Sequence, residues 1–136
     1  MSIIETIKLK VYADERGFLV PIESKSSIPF DVERVYYIYN IQSGASRGFH
    51  AHKKLQQFLI AISGKCTVIL DNGYKREKIC LDTPSIGLLI KNMIWREIYD
   101  FSKDCIILVL ASQNYDETDY IKEYKKFVEL VSKKSV

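Results

Sequence analysis

The stretch "GASRGFHAHKKLQQFLIAISG", Gly44 to Gly64, contains both histidines of the chain, followed by an apolar run over residues 57–63. His50 and His52 are separated by one residue, so on a β-strand their side chains point to the same face. Two neighbouring imidazoles can bind a metal or exchange protons near neutral pH. The alternative is a pair of structural or surface histidines. The pattern therefore predicts a histidine-bearing strand followed by an apolar strand.

The composition is that of an ordinary globular domain. The chain has 136 residues, which is enough for one domain with a sizeable core. Hydrophobic residues make up 47% and charged residues 27%, and the net charge of +3 suits an anionic small molecule better than a nucleic acid. Neither a signal-peptide pattern nor a run of about 20 apolar residues is found. We expect one cytoplasmic domain, residues 1–136, with no membrane or nucleic-acid partner.

Short strand-like segments follow one another along the chain, separated by turn signals. Alternating or β-branched runs begin at Thr6 and Val35, and five further apolar runs follow before residue 112. Asn72-Gly73, between two of these runs, is a hairpin signal because both residues tolerate the positive φ of tight turns. Many short strands with such punctuation predict an all-β protein, folded as an antiparallel barrel or sandwich.

The C-terminal segment has a helical pattern. Ile121, Tyr124 and Val128 recur at three- and four-residue steps, and Asp116 is a suitable N-cap residue. We predict an α-helix over about residues 116–133, which packs against the β-rich body.

The three cysteines each lie in an apolar, strand-like run: Cys66, Cys80 and Cys105. An odd number of cysteines without a CxxC pair indicates neither a disulfide framework nor a zinc site. We therefore expect three buried, reduced thiols that pack as small apolar groups.

The histidine stretch resembles the first cupin motif, in which two histidines and a glutamate are spaced between two glycines. Gly44, His50, His52 and Gly64 match it, but Gln56 replaces the glutamate and the last spacer is one residue longer. The second cupin motif, which carries a third histidine, is matched loosely and without that histidine. The resemblance implies a cupin-type antiparallel β-barrel or jelly roll. Two imidazoles alone make a poor first-row metal site, so we expect neither metal nor other cofactor.

Longer segments resemble the dTDP-4-keto-6-deoxy-D-glucose 3,4-ketoisomerases. Five segments carry this resemblance, which covers most of the chain: "RGFHAHKKLQQFL", "ISGKCTVILDNG", "LDTPSIGLLI", "WREIYDFSKDCIILVLAS" and "NYDETDYIKEYKKF". The resemblance implies an isomerase that moves the ketone of a dTDP-linked sugar from C4 to C3. An aminotransferase then acts at C3, on the way to 3-amino-3,6-dideoxy sugars of surface glycans such as lipopolysaccharide. It also implies a homodimer whose subunits exchange N-terminal strands.

Three side chains are candidates for catalysis: His50 and Tyr36, which match active-site positions of that family, and His52, which lies on the same face as His50. The reaction removes the C3 proton, which the adjacent carbonyl acidifies, and reprotonates the resulting enediolate at C4. A histidine, with an ordinary pKa of about 6.5, suits this task, and the resemblance implies that His50 is the base. His52 could shuttle a proton, stabilise the enediolate, bind phosphate or only orient His50. Tyr36 is either a hydrogen-bond donor to the enediolate or a core or interface aromatic.

Six further side chains are candidates for binding the substrate: Arg16, Arg47, Lys53, Gln57, Trp95 and Arg96. Arginine binds phosphate oxygens through two hydrogen bonds, which makes Arg47, beside the histidines, the first candidate for the diphosphate. Trp95 can stack on the thymine or fill the core. Arg16 is similar to the residue at that position in family members that form the galacto product. Arg96 is similar to the residue in members that form the gluco product, so the configuration at C4 stays open.

Two other classes of protein fit the same residues. A related dTDP-4-keto sugar epimerase would share the cupin body and a histidine base, but would exchange protons at C3 and C5 without moving the ketone. A non-catalytic cupin would bind the sugar nucleotide without needing a titrating base. The string "RGFHAHK" favours the ketoisomerase over the epimerase, and turnover by the purified protein distinguishes the ketoisomerase from the non-catalytic cupin.

Overall fold

A computed structural model describes residues 1–134. Within these residues it contains twelve β-strands, a 3-10 helix at Glu117–Asp119 and one α-helix, α1, at Tyr124–Lys134. The strands are numbered in chain order: β1 Glu5–Lys8, β2 Tyr12–Asp14, β3 Gly17–Leu19, β4 Arg34–Ile38, β5 Arg47–His52, β6 Gln57–Ser63, β7 Cys66–Asp71, β8 Arg76–Leu81, β9 Ile86–Ile90, β10 Trp95–Tyr99, β11 Ile106–Ala111 and β12 Tyr120–Ile121. The all-β prediction with a C-terminal helix is confirmed.

Two five-stranded antiparallel sheets form the body. The first sheet has the strand order β1-β9-β6-β11-β4, and the second has the order β12-β5-β10-β7-β8. Apart from the β7–β8 hairpin, successive strands from β4 to β12 alternate between the two sheets, which is the path of a jelly roll. Strands β2 and β3 form a separate hairpin. The predicted antiparallel barrel or sandwich is therefore confirmed.

Aliphatic side chains fill the space between the two sheets, among them Leu59, Val68, Leu88 and Ile107. The apolar run of β6 is buried on both faces, because a second cluster that includes Phe30 covers the outer side of the first sheet. A third cluster buries the outer face of the second sheet beneath α1. Both sheets are thus held between apolar layers, which fixes the positions of the strands that carry the candidate site.

The hairpin predicted at Asn72-Gly73 connects β7 to β8, and the prediction is confirmed. Gly73 has a φ of +94°, in the left-handed region that favours glycine. The Asn72 side-chain oxygen accepts hydrogen bonds from the backbone N–H groups of Tyr74 and Lys75 at 2.9 and 2.8 Å. These bonds replace the strand pairing that the turn interrupts.

The α-helix begins later than predicted. Residues 116–123 include the 3-10 helix and β12, so the predicted start of the α-helix at Asp116 is wrong. Asp116 caps the 3-10 helix instead, and its carboxylate accepts from the Thr118 N–H at 3.0 Å. Tyr120 pairs with His52 across the sheet, and this pairing replaces the first turns of the helix. Within residues 1–134, no helix is both long and apolar enough to cross a membrane.

The cysteines differ from the prediction at one position. Cys66 and Cys105 are buried free thiols, as predicted, and burial raises the pKa of Cys66 to about 12. Cys80 is exposed, so its predicted burial is wrong. It lies on β8, the edge strand of the second sheet, where every second side chain points to solvent.

The packing around Gly87 gives a test of the first sheet. A Cβ atom added at Gly87 would lie 2.2 Å from the Cζ atom of Phe58, a buried ring. We expect Gly87→Ala to lower the free energy of unfolding by about 1–3 kcal/mol through overpacking. Urea titrations of the wild type, Gly87→Ala, Phe58→Leu and the double variant measure this effect. The smaller leucine should relieve part of the loss, and strictly additive effects would contradict the contact.

Candidate active site

A cavity of about 610 Å³ opens beside β4, β5 and β10. This volume falls within the range of sites for small molecules. Its lining contains five of the predicted site residues: Tyr36, Arg47, His50, Gln57 and Arg96. They come from four strands of both sheets, so the jelly-roll path assembles the cavity from segments that are distant in the sequence.

An irregularity in β5 shapes the histidine wall. Gly48 and Phe49 have φ values of +90° and +59°, and Arg96 pairs with His50 while Glu97 pairs with Gly48. The extra residue on β5 makes this a β-bulge. A Cβ atom at position 48 would lie 2.9 Å from the carbonyl oxygen of Arg96. Glycine is therefore required at position 48 by both its backbone conformation and its close approach to β10.

His50 has a defined tautomer. Its Nδ1 lies 3.0 Å from the carbonyl oxygen of Gly48, and because a carbonyl only accepts, Nδ1 carries the proton. In the neutral ring, Nε2 is then the unprotonated nitrogen. Burial and the nearby positive charge of Arg96 lower the pKa of His50 to about 4. At neutral pH His50 is thus an uncharged imidazole that can accept a proton.

His52 lies next to His50 but is fully buried, with 0% of its surface exposed. The ring centroids are 4.9 Å apart and the ring planes are nearly perpendicular. The Nδ1 of His52 donates to the Asp119 carboxylate at 3.2 Å, and burial lowers the pKa of His52, so this ring is also neutral. A fully buried imidazole in this position does not line the cavity. The geometry favours the orienting role for His52 over direct phosphate binding.

Two residues of this wall were not predicted from the sequence: Asp119 and Tyr120. The Asp119 carboxylate accepts hydrogen bonds from the backbone N–H groups of Lys54 and Leu55 at 2.9 and 3.2 Å, in addition to the bond from His52. The Tyr120 ring lies 5.0 and 4.4 Å from the two imidazole centroids and lines the cavity. Their only signal in the sequence was the family-like string "DETDYI", which the helix prediction obscured.

Tyr36, Gln57 and Arg96 form a hydrogen-bonded row on the cavity wall. An Arg96 guanidinium N–H donates to the Gln57 side-chain oxygen, and the Gln57 amide nitrogen donates to the Tyr36 hydroxyl at 3.1 Å. A second guanidinium N–H of Arg96 donates to the carbonyl oxygen of Ile94 at 2.9 Å. Burial lowers the pKa of Arg96 to about 10 and raises the pKa of Tyr36. At neutral pH Arg96 is therefore a cation and Tyr36 a protonated phenol.

Two arginines place further positive charge at the cavity. Arg47 lines it and is exposed. Arg34, which was not among the predicted site residues, also lines it. Its guanidinium lies over the rings of Tyr36 and Tyr115, at 4.6 and 5.4 Å from their centroids. This stacking on two aromatic rings holds Arg34 at the cavity, and the sequence pattern did not predict it.

Three predicted substrate-binding residues lie outside this cavity. Arg16 is exposed in the β2–β3 hairpin, where it forms an ion pair with Asp14. Lys53 is exposed just after the end of β5, so it does not share the inward direction of the histidines. Trp95 lies on the opposite face of β10 from the cavity and packs against Phe127 of α1, with ring centroids 5.9 Å apart. Trp95 therefore fills a core, which was the alternative reading of its sequence.

A family model and a curated protein both match nearly the whole chain. Residues 2–132 match the family model described as "FdtA: WxcM-like, C-terminal". The chain is 48% identical over 129 residues to the TDP-4-oxo-6-deoxy-alpha-D-glucose-3,4-oxoisomerase of Aneurinibacillus thermoaerophilus, an alignment that covers 95% of this chain and 93% of that protein.

Two solved structures are similar over nearly the whole chain. The sugar 3,4-ketoisomerase QdtA of Thermoanaerobacterium thermosaccharolyticum, in complex with TDP, matches with a TM-score of 0.94 and 44% identity, over 98% of this chain and 97% of that one. The TDP-quinovose 3,4-ketoisomerase WlaRB of Campylobacter jejuni matches with a TM-score of 0.90 and 43% identity, over 95% of this chain and 99% of that one.

The lowered pKa of His50 predicts an acid-sensitive fold. Between pH 6.5 and pH 4 the unfolded chain binds a proton at His50 that the folded protein does not, so stability is lost as the pH falls through this window. Between pH 7 and pH 5 this effect should lower the free energy of unfolding by roughly 2 kcal/mol. Urea titrations at both pH values should show a loss smaller by about that amount in His50→Gln. Equal losses in both proteins would contradict the buried, neutral state of His50.

Proposed function

Because the chain belongs to the family of dTDP-4-keto-6-deoxy-D-glucose 3,4-ketoisomerases, we propose that its cavity converts this substrate into a dTDP-3-keto-6-deoxyhexose. The protein is an isomerase that interconverts a ketone and a hydroxyl group. The assignment of the site rests on the state of His50. This residue lines the cavity as a neutral imidazole whose Nε2 is unprotonated.

In the proposed mechanism His50 removes the proton from C3 of the sugar. The hydroxyl group at C3 and the carbonyl group at C4 then become an enediolate, whose developing negative charge requires a hydrogen-bond donor. Tyr36, a protonated phenol at the cavity, supplies that donor. Transfer of the hydroxyl proton from the C3 oxygen to the C4 oxygen and return of a proton to C4 then leave a ketone at C3 and a hydroxyl group at C4, so the product is an isomer of the substrate and no redox cofactor is consumed. His52 and Asp119 hold the histidine wall in place.

The charge of the cavity suits a nucleoside diphosphate. Arg47 and Arg34 are the proposed ligands of the two phosphates, since guanidinium groups bind phosphate oxygens through paired hydrogen bonds. The 3-keto product has an electrophilic carbon at C3, where an aminotransferase can place nitrogen. We therefore assign the reaction to the formation of 3-amino-3,6-dideoxy sugars for surface glycans, as the family resemblance implies. Arg96 lines the cavity, and because it resembles the residue of members that form the gluco product, we propose the gluco configuration at C4.

Proton NMR in heavy water tests the function and the base together. The wild type mixed with dTDP-4-keto-6-deoxy-D-glucose should move the ketone to C3 and incorporate deuterium at C4. His50→Asn should lower kcat by about 10²- to 10⁴-fold, because a general base is lost, while TDP affinity by calorimetry stays close to the wild type. Deuterium at C3 and C5 without movement of the ketone would indicate an epimerase. A near-normal rate in His50→Asn would remove this residue from the mechanism.

We predict that activity does not depend on a metal. Among residues 1–134 there is no group of three or more histidine, cysteine, aspartate or glutamate side chains placed to bind one. Gln56, at the position of the cupin glutamate, offers a neutral amide instead of a carboxylate. Turnover should therefore be unchanged after dialysis against EDTA, with elemental analysis confirming removal. Loss of activity that zinc, iron or nickel restores would overturn this prediction.

We also propose that the protein is a homodimer with exchanged N-terminal segments. In this structure β1 pairs with β9 of its own chain, whereas the β2–β3 hairpin exposes large apolar side chains, including Phe18 at 82% and Leu19 at 62%. Such a surface is usually covered by a partner. Arg16, at the tip of the same hairpin, would then lie at the interface of the two copies.

Sedimentation velocity at micromolar concentration should give the mass of two chains. Phe18→Asp should shift the equilibrium toward the monomer, because it places a charge in the covered apolar surface. Tyr74→Asp changes an aromatic residue of similar exposure in the β7–β8 turn and should leave the dimer intact. A monomeric wild type would refute the dimer, and equal behaviour of the two variants would remove the hairpin from the interface.

A further inference from the structure

The hydrogen bonds along Arg96, Gln57 and Tyr36 have only one possible direction. A guanidinium group donates and never accepts, so the Gln57 atom that faces Arg96 must be its carbonyl oxygen. The other end of the amide, which faces Tyr36, is then the NH₂ group, and this group only donates. The Tyr36 oxygen is therefore the acceptor in its bond with Gln57.

This direction leaves the hydroxyl proton of Tyr36 unused. Within residues 1–134 no group accepts a hydrogen bond from it, and Tyr36 lines the same cavity as His50. If Gln57 could turn its amide over, its oxygen would accept that proton and Tyr36 would no longer donate to a ligand. The charge of Arg96 prevents this rotation, because a rotated amide would place an NH₂ group against another donor.

We infer that Gln57 is a positioning residue whose amide, oriented by Arg96, makes Tyr36 an obligatory hydrogen-bond donor to the enediolate. The inference rests on the proposed ketoisomerase function and changes the role expected for Gln57 from substrate contact to support of Tyr36. Its side chain is buried at 3% exposure, and both ends of its amide are already bonded to protein. Arg96 affects Tyr36 through Gln57: its charged guanidinium group, which only donates, reaches the Gln57 oxygen and orients the amide.

Gln57→Glu tests the direction of the bonds with almost no change in shape. A carboxylate beside Arg96 accepts at both oxygens, so it takes the Tyr36 proton that the amide leaves free. Gln57→Met is the matched control, since it has a similar length but neither donates nor strongly accepts. Each variant is made with and without Tyr36→Phe. Turnover by proton NMR, TDP affinity by calorimetry and thermal melting are measured for the wild type and all five variants.

Tyr36→Phe and Gln57→Glu should each lower kcat by about 10²-fold, the usual effect of losing one oxyanion donor, with TDP affinity unchanged. The double variant Gln57→Glu/Tyr36→Phe should be no slower than Gln57→Glu alone, because its donor is already lost. In the Gln57→Met background, Tyr36→Phe should still lower kcat by about 10-fold or more, since the phenol there remains free to donate. Intact melting curves show that each variant is folded.

Three results would overturn the inference. Additive effects of Gln57→Glu and Tyr36→Phe would mean that the two residues act independently. A loss of TDP affinity in both Gln57 variants would mean that Gln57 contacts the ligand directly. A Gln57→Glu enzyme with the wild-type rate would mean that the bond direction is irrelevant. Absence of turnover in the wild type would instead refute the proposed function itself, and the inference with it.

Discussion

The guanidinium group of Arg96 is buried at the cavity wall, with 2% of the residue exposed. Burying a cation is costly unless hydrogen-bond acceptors and opposite charges surround it. The Gln57 oxygen and the Ile94 carbonyl accept from it, and the charge of Asp119 stabilises it from beneath the histidines. The hydrogen bond from Arg96 therefore orients the Gln57 amide, which in turn donates to Tyr36.

Burial, together with the charge of Arg96, sets the protonation states that the chemistry needs. Burial makes a second cation near Arg96 unfavourable, and this keeps both imidazoles neutral at physiological pH. A neutral His50 can accept a proton, whereas a charged imidazole could not. The β-bulge at Gly48 determines which ring nitrogen is protonated. The Gly48 carbonyl accepts a hydrogen bond from Nδ1 of His50, so the proton lies there and Nε2 is free. Backbone geometry and electrostatics therefore select the same tautomer.

The sequence was informative where its patterns correspond to local geometry. Strand alternation placed His50 and His52 on one face, and the Asn72-Gly73 signal gave a hairpin in the correct place. It failed where a long-range contact overrides a local pattern. Asp119 lies in the segment predicted as the start of the α-helix, but pairing of β12 with β5 interrupts that helix, and Asp119 ends a 3-10 helix just before β12.

Side chains with two plausible roles were also undecided by sequence. Trp95 and Arg96 are adjacent on β10, and nothing in their order says which one faces the cavity. The answer depends on the register of β10 against β5, which the bulge sets, and on α1, which covers the Trp95 face. The sequence also could not predict where the side chains of Lys53 and Arg16 point. Each residue lies outside a strand, so strand alternation does not determine the direction of its side chain.

The unsatisfied polar atoms of the described residues are concentrated at this wall. Three buried side-chain nitrogens within residues 1–134 have no hydrogen-bond partner: Arg34 Nη1, His52 Nε2 and Arg96 Nε. Each such atom lowers the stability of a folded protein by about 1–3 kcal/mol, and folded proteins contain few of them. Arg34 and Arg96 line the cavity, and His52 lies against His50, which also lines it. A wall optimised for stability alone would pair these groups, so the arrangement of the wall carries a cost in stability.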